Sequence, residues 1–244
     1  MKKIIYSLLL ALIFISCKKE NTTLNDIDSQ NLLESNDQLR GQGIARVTIG
    51  TQVWMSSNLN VIKYRNGDTI PMVSNQTKWA NLTTGAWCYY LNKSANGKVV
   101  GRLYNWYAVN DSRGLAPLGW HIPSEPEWQT LTTFLGGQLI AGGKMKSTSI
   151  LWNAPNTGAT NSSGFTALPG GKRTEFEFRE FGLTSQFWSS TAISPIESWA
   201  PYLDFDRANI TECECFKNQG YYVRCIKKMT IRNLVLPINL VNLS

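Results

Sequence analysis

The sequence predicts one compact, β-rich domain with a few short helices, carried behind an export signal. Three observations predict it. Hydrophobic residues make up 43% of the 244 residues against 17% charged, and nine are tryptophan. That balance suits a packed, secreted-type globule rather than a disordered or coiled-coil chain. Short runs of β-forming residues, bounded by polar turn formers, lie near both ends. Between them stands one strongly marked helix start.

The N-terminus reads as separate from the domain. Lys2 and Lys3 precede an almost wholly apolar run, Ile4 to Ser16, too short to span a membrane comfortably. It ends at Cys17, and "FISC" (14–17) resembles a bacterial lipobox. Cys17 is therefore expected to be lipidated and to become the mature N-terminus, anchoring the chain in a membrane, the outer one of the cell envelope. Residues 18–43 are polar and rich in Asn, Asp, Ser and Gln, the composition of a tether. Its r.m.s. reach is about 28 Å. The formal net charge is +7, to which the signal's Lys2 and Lys3 contribute. The basic clusters "GGKMK" (142–146), "GKR" (171–173) and "IKK" (226–228) are short, so the charge reads as solvated surface and not as a nucleic-acid stripe.

The domain opens with Val47 and Ile49, then Val53 and Met55, flanking Gly50-Thr51: a hairpin. "AWCYYLN" (86–92) predicts a strand, closed by a tight turn at Asn96-Gly97. "GRLYNWYAV" (101–109) has near-helical spacing. In "GWHIPSEPEWQTLTTFLGG" (119–137), Ser124 and Glu127 form a capping box and Pro126 fits the first turn. Trp128, Leu131 and Leu135 share one helical face, and Gly136-Gly137 ends the helix. "AGGKMK" (141–146) reads as a short helix or turn, and 151–165 as a loop. "RTEFEFREF", "FWSST" (187–191), "APYLDFD" (200–206) and "YYVRCIKK" (221–228) read as strands, with polar loops at 192–199 and 207–219. The tail 229–244 is apolar but short, and Arg232 and Pro237 interrupt it.

Taken in order, "IGTQVWMSSNLNV", "GRLYNWYAV", "APLGWHIPSEPEW", "AGGKMKS", "NSSGFTALPGGKR", "FWSST" and "YYVRCIKK" resemble the Fibrobacter succinogenes major paralogous domain, over roughly 44–228. "GWHIPSEPEW" and "YYVRC" are also similar to the formylglycine-generating-enzyme branch of the C-type-lectin-like fold. The resemblance implies a single α+β domain, C-type-lectin-like, with short helices packed on twisted antiparallel strands. It implies chain ends that lie together and long second-half loops that form a ligand face. It implies a fold and a cell-surface habit, not a reaction. Ala116 stands where some members have Cys, and "ECECFK" (212–217) is a departure.

Candidate chemistry is sparse. His121, the single histidine, has no recognisable nucleophile partner, so a structural role is expected and no catalytic residue is named. Cys88, Cys213, Cys215 and Cys225 are disulfide candidates in an exported chain. Three pairings are possible, and Cys213 and Cys215 are expected to be too close to bridge one another. A thiolate metal site from Cys213, Cys215 and Cys225 is the alternative, prompted by the copper-binding cysteine pair of formylglycine-generating enzymes. Their cysteines are more widely spaced than C-x-C, so no metal or other cofactor is expected. "WNAPN" (152–156) lacks the acid that a Ca²⁺ site needs. The expected ligand-contact residues are Trp152, Asn156, Trp199, Arg207, Asn209 and Glu212, facing a glycan or an envelope protein. The expected function is binding at the envelope. An enzyme using Cys213 and Cys215, or a purely structural envelope protein, is the alternative.

Overall fold

The hairpin expected at Gly50-Thr51 opens the structure, a computed structural model that describes residues 43–228. The Cys17 anchor, nearly all of the tether and the tail 229–244 lie outside the described residues. Strands β1 (Arg46–Ile49) and β2 (Gln52–Met55) pair antiparallel. The last strand, β11 (Ile226–Lys227), pairs with β2 and with β5 (Trp120–His121), giving the order β1-β2-β11-β5. Both ends of the described chain therefore share one sheet, as the resemblance implies. A two-stranded ladder joins β3 (Trp87–Cys88) to β4 (Leu103–Tyr104).

The second large sheet has the order β10-β9-β8-β6-β7. Its strands are β6 (Gly170–Arg173), β7 (Phe178–Phe181), β8 (Thr184–Gln186), β9 (Glu197–Asp204) and β10 (Ile210–Phe216). The β6–β8 pair is parallel and the rest antiparallel, so the domain is α+β with mixed sheets. Short helices α1 (Gln76–Ala80), α2 (Ser94–Val100), α3 (Trp106–Val109), α4 (Glu125–Phe134) and α5 (Gln138–Met145) fill the connections. Among the described residues no helix is long and apolar enough to cross a membrane.

Several local expectations shift. Residues 94–100 form α2 where a tight turn was expected. The near-helical 101–109 divides into β4 and α3, whose cap is the Asn105 side chain accepting from Ala108 N–H. The expected loop 207–219 is largely β10, zipped to β9 from Ile210↔Leu203 to Phe216↔Glu197. In "TECECF" the acids Glu212 and Glu214 face solvent while Cys215 is buried, a period-two pattern. Strand β6 was also unexpected, because "GG" discourages strands. Gly171 is required there: its φ is +66°, and a Cβ would collide with the backbone of Arg179 and Phe181 on β7.

Helix α4 starts as its sequence dictates. The Glu127 carboxylate accepts hydrogen bonds from Ser124 N–H (2.8 Å) and Ser124 Oγ–H (2.9 Å). His121 Nε2 donates to its other oxygen at 2.6 Å. Burial alone would raise the Glu127 carboxyl, but the bonds from His121 and Ser124 outweigh it and hold the group below its usual range. Trp128 then packs against Trp54, Phe165 and Phe187, with centroids 4.8, 5.9 and 5.6 Å away. This aromatic cluster is the centre of the first core, between α4 and the five-stranded sheet. A second core collects Tyr64, Trp87, Tyr104, Trp106, Trp120, Trp188 and Tyr221.

The charge was expected to be solvated surface, and Lys227 and Lys228 are exposed, but two of the basic clusters hold a buried cation, as does Arg224 outside them. Lys146 and Arg173 have 0% exposure and Arg224 1%. Each donates to backbone carbonyls and lies against an aromatic face; among the described residues none is paired to an acid, and Arg173 Nε has no partner. Arg173 Nη1 and Nη2 donate to Val73 O and Ser74 O (2.7 and 2.9 Å) while the guanidinium lies over Trp79. Arg224 donates to Met55 O (3.0 Å) and Phe165 O (2.5 Å) and lies over Phe165. Lys146 Nζ donates to Thr157 O (2.9 Å), Asp204 O (2.7 Å) and Arg207 O (2.7 Å). Burial pushes its pKa down to about 8, with Asp204 and Asp206 pulling the other way. Burying a cation is costly unless it is hydrogen-bonded, so the carbonyls that each one binds are tied to its position.

"AGGKMK" thus has a specific mechanical role. Any Cβ at Gly142 would strike the Asn209 carbonyl, and at Gly143 the Gly158 carbonyl. The two glycines let the β9–β10 turn and the 157–160 loop lie directly on α5. Gly143 N–H donates to Ala208 O and Thr160 N–H to Gly143 O. Lys146, one turn on, then staples both segments.

Candidate binding face

Strand register assembles a concave polar surface on the five-stranded sheet. Thr184 pairs with Asp204 and Gln186 with Tyr202, while Cys213 pairs with Ala200 and Cys215 with Ser198. Because side chains alternate, all of these project to one face. Trp199, Leu203 and Ile210 project to the other face, into the first core. Around Ala200 and Cys215 this face packs on the second core; beyond them it opens as a cleft of about 430 Å³, lined by Lys172, Glu180, Gln186, Tyr202, Asp204 and Arg207, with Leu183 and Phe205 as apolar neighbours.

The cleft holds both charges and a ring. Lys172 Nζ bridges Glu180 Oε1 at 3.0 Å, and Thr184 Oγ donates to Glu180 Oε2 at 3.1 Å. Burial raises the Asp204 carboxyl above its usual range; Arg207 opposes the shift and Asp206 adds to it. Arg207 is largely exposed, with Nε 3.6 Å from Asp206 Oδ1. The backbone carbonyls of Asp204 and Arg207 are the ones Lys146 grips from below. The cleft rim is therefore set by a buried ammonium rather than left to a free turn.

Of the six expected contact residues, Arg207 lines the cleft. Asn209 sits beside it in the same turn, its Nδ2 donating to Thr211 Oγ at 3.0 Å. Trp152 and Trp199 are 5% and 7% exposed, so neither offers a ring face to a ligand. Trp152 Nε1 donates to Ala167 O, which pins its loop to the core. Asn156 has φ +46° and donates to Ser147 O, shaping its own loop. Glu212 is exposed but projects from β10 away from the cleft. Lys172, Glu180, Gln186, Tyr202 and Asp204, which also line the cleft, were not among the residues expected from the sequence. The available signal was the alternation of Ala200, Tyr202 and Asp204 in "APYLDFD".

The cysteine expectation is also corrected. Cys213 and Cys215 pair with each other at disulfide distance, with Cα atoms 5.5 Å apart, inside the usual bridging range. Residues two apart on a strand share a face, which brings the two sulfurs together. Cys88 and Cys225 are free and buried in separate cores. Burial pushes the Cys88 thiol up to about 11 and Cys225 higher still. Among the described residues no three His, Cys, Asp or Glu side chains gather into a metal-binding group, so Cys225 does not join the pair.

Ser124, Glu127 and His121 meet, but in an order that serves the helix start. Serine and histidine both bind the carboxylate, and Ser124 Oγ does not contact the imidazole. A nucleophile–base pair needs that contact.

The fold and its cleft define a mixed α+β domain whose distinguishing surface is polar and concave. Residues 47–227 match the family model of the Fibrobacter succinogenes major domain, and the chain belongs to that family. Among curated proteins and among solved structures nothing matches it.

Proposed function

We propose that the chain is a binding module of the cell envelope, held in the outer membrane by a lipid on Cys17, that recognises a glycan in the cleft of its five-stranded sheet. It acts by binding and not by turnover, on a domain of C-type-lectin-like type. The observation that carries the reading is the lining of the cleft. The Tyr202 ring lies beside carboxylates, an amide, an ammonium and a guanidinium, the groups that stack on and hydrogen-bond a polyhydroxylated ring. A tether of about 28 Å reach would present this surface away from the membrane.

Two measurements test it. In a screen of envelope glycans against the chain from residue 18 onward, Tyr202→Ala and Arg207→Ala should each weaken a detected interaction about tenfold, equivalent to roughly 1.4 kcal/mol. Undiminished affinity in both variants would contradict the assignment. Cys17→Ser should release the protein from the membrane fraction. A wild-type chain that incorporates no labelled fatty acid would contradict the anchor.

A further inference from the structure

We infer that Cys213 and Cys215 form a reducible two-electron site that exchanges disulfide with an external protein dithiol. The bridge closes a loop of only two steps along one strand, so it constrains the unfolded chain very little. Both cysteines are already fixed by the β9–β10 ladder, so the bridge adds little as a staple. Its position suits exchange instead. Strand β10 is the edge of its sheet, and Cys213 is half-buried and lines the cleft. Cys215 is 5% exposed and lies behind it. Gln186 Nε2 lies 3.4 Å from Cys213 Sγ and 3.3 Å from Cys215 Sγ, a donor placed to stabilise whichever sulfur leaves as thiolate. Among the described residues the other two thiols, Cys88 and Cys225, are both 0% exposed and so are withheld from the reaction.

The step balances with a dithiol as reductant. One partner thiolate attacks Cys213 Sγ, forming a mixed disulfide as the Cys213–Cys215 bond breaks. The electron pair goes to Cys215 Sγ, which accepts the Gln186 N–H. The partner's second thiolate then attacks its own sulfur in the mixed disulfide and releases Cys213. The partner leaves as a disulfide, and the two protons its thiols lost are taken up, through solvent, by Cys213 and Cys215. Cys213 and Gln186 line the same cleft that is proposed for the glycan, but the exchange and its test require no glycan.

The test uses the folded full chain with dithiothreitol as the dithiol, alkylation of the free thiols and mass mapping. Cys213 and Cys215 should become alkylated after reduction while Cys88 and Cys225 stay unmodified until denaturant is added. With oxidised glutathione, Cys215→Ser should form the mixed disulfide at Cys213 about tenfold faster than Cys213→Ser forms it at Cys215, reflecting access. Gln186→Leu, with its fold checked by circular dichroism, should slow reduction of the bridge several-fold. The inference is overturned if the pair is already alkylated without reductant, if it resists dithiothreitol until the domain unfolds, or if Gln186→Leu leaves the rate unchanged.

Discussion

Lys146→Met is expected to destabilise the domain by about 3 kcal/mol, because three carbonyls lose one shared, charged donor at once. Methionine keeps most of the side-chain volume and the contact with Trp152, so the loss isolates the ammonium. The carbonyls of Thr157, Asp204 and Arg207 would lose the donor that holds them together. Some of the cost is offset, since the ammonium itself no longer needs to be desolvated. Urea denaturation should register the change as a lower midpoint with a similar slope. The same variant should weaken glycan binding, because Asp204 and Arg207 lose the support that aims them into the cleft. A loss below about 1 kcal/mol would show that the turn holds without its cation.

Trp128→Ala should cost about 3–5 kcal/mol, the range for removing a buried aromatic side chain. Trp128 is 0% exposed and joins α4 to Trp54 of the hairpin and to Phe165 and Phe187 beside the sheet. Its removal leaves a void where three elements meet, and that region cannot easily collapse, because Arg224 holds Phe165 and Met55 in place through their carbonyls. Trp128→Phe should recover part of the loss. A well-folded alanine variant with an unchanged midpoint would contradict the docked-helix account.

What could be read from the sequence was what local chemistry determines. Ser124, Pro126 and Glu127 specify a helix start within one turn, and Gly50-Thr51 specifies a hairpin within four residues; both stand in the structure. The buried cations could not be read in this way. Lys146 binds carbonyls 11, 58 and 61 residues away, and until those loops are placed it is indistinguishable from a surface lysine. Strand β10 was obscured because acids on its exposed face and cysteines on the other read together as a polar loop. The cleft depends on the register of β8, β9 and β10, and a shift of one residue would turn Tyr202 and Asp204 into the core. Trp152 and Trp199, in segments that read as loops, were expected to contact ligand, yet both are buried and anchor those segments.

The polar face of the five-stranded sheet is the proposed seat of the ligand. Nuclear magnetic resonance of the isotopically labelled chain, titrated with the glycan returned by the screen, tests it most directly. The expected result is a saturable set of shift changes centred on the amides of Gln186, Tyr202, Asp204 and Arg207 and the Gln186 side chain, absent in Tyr202→Ala. Shift changes confined to other surfaces, such as the hairpin of β1 and β2 or the start of α4, would contradict it.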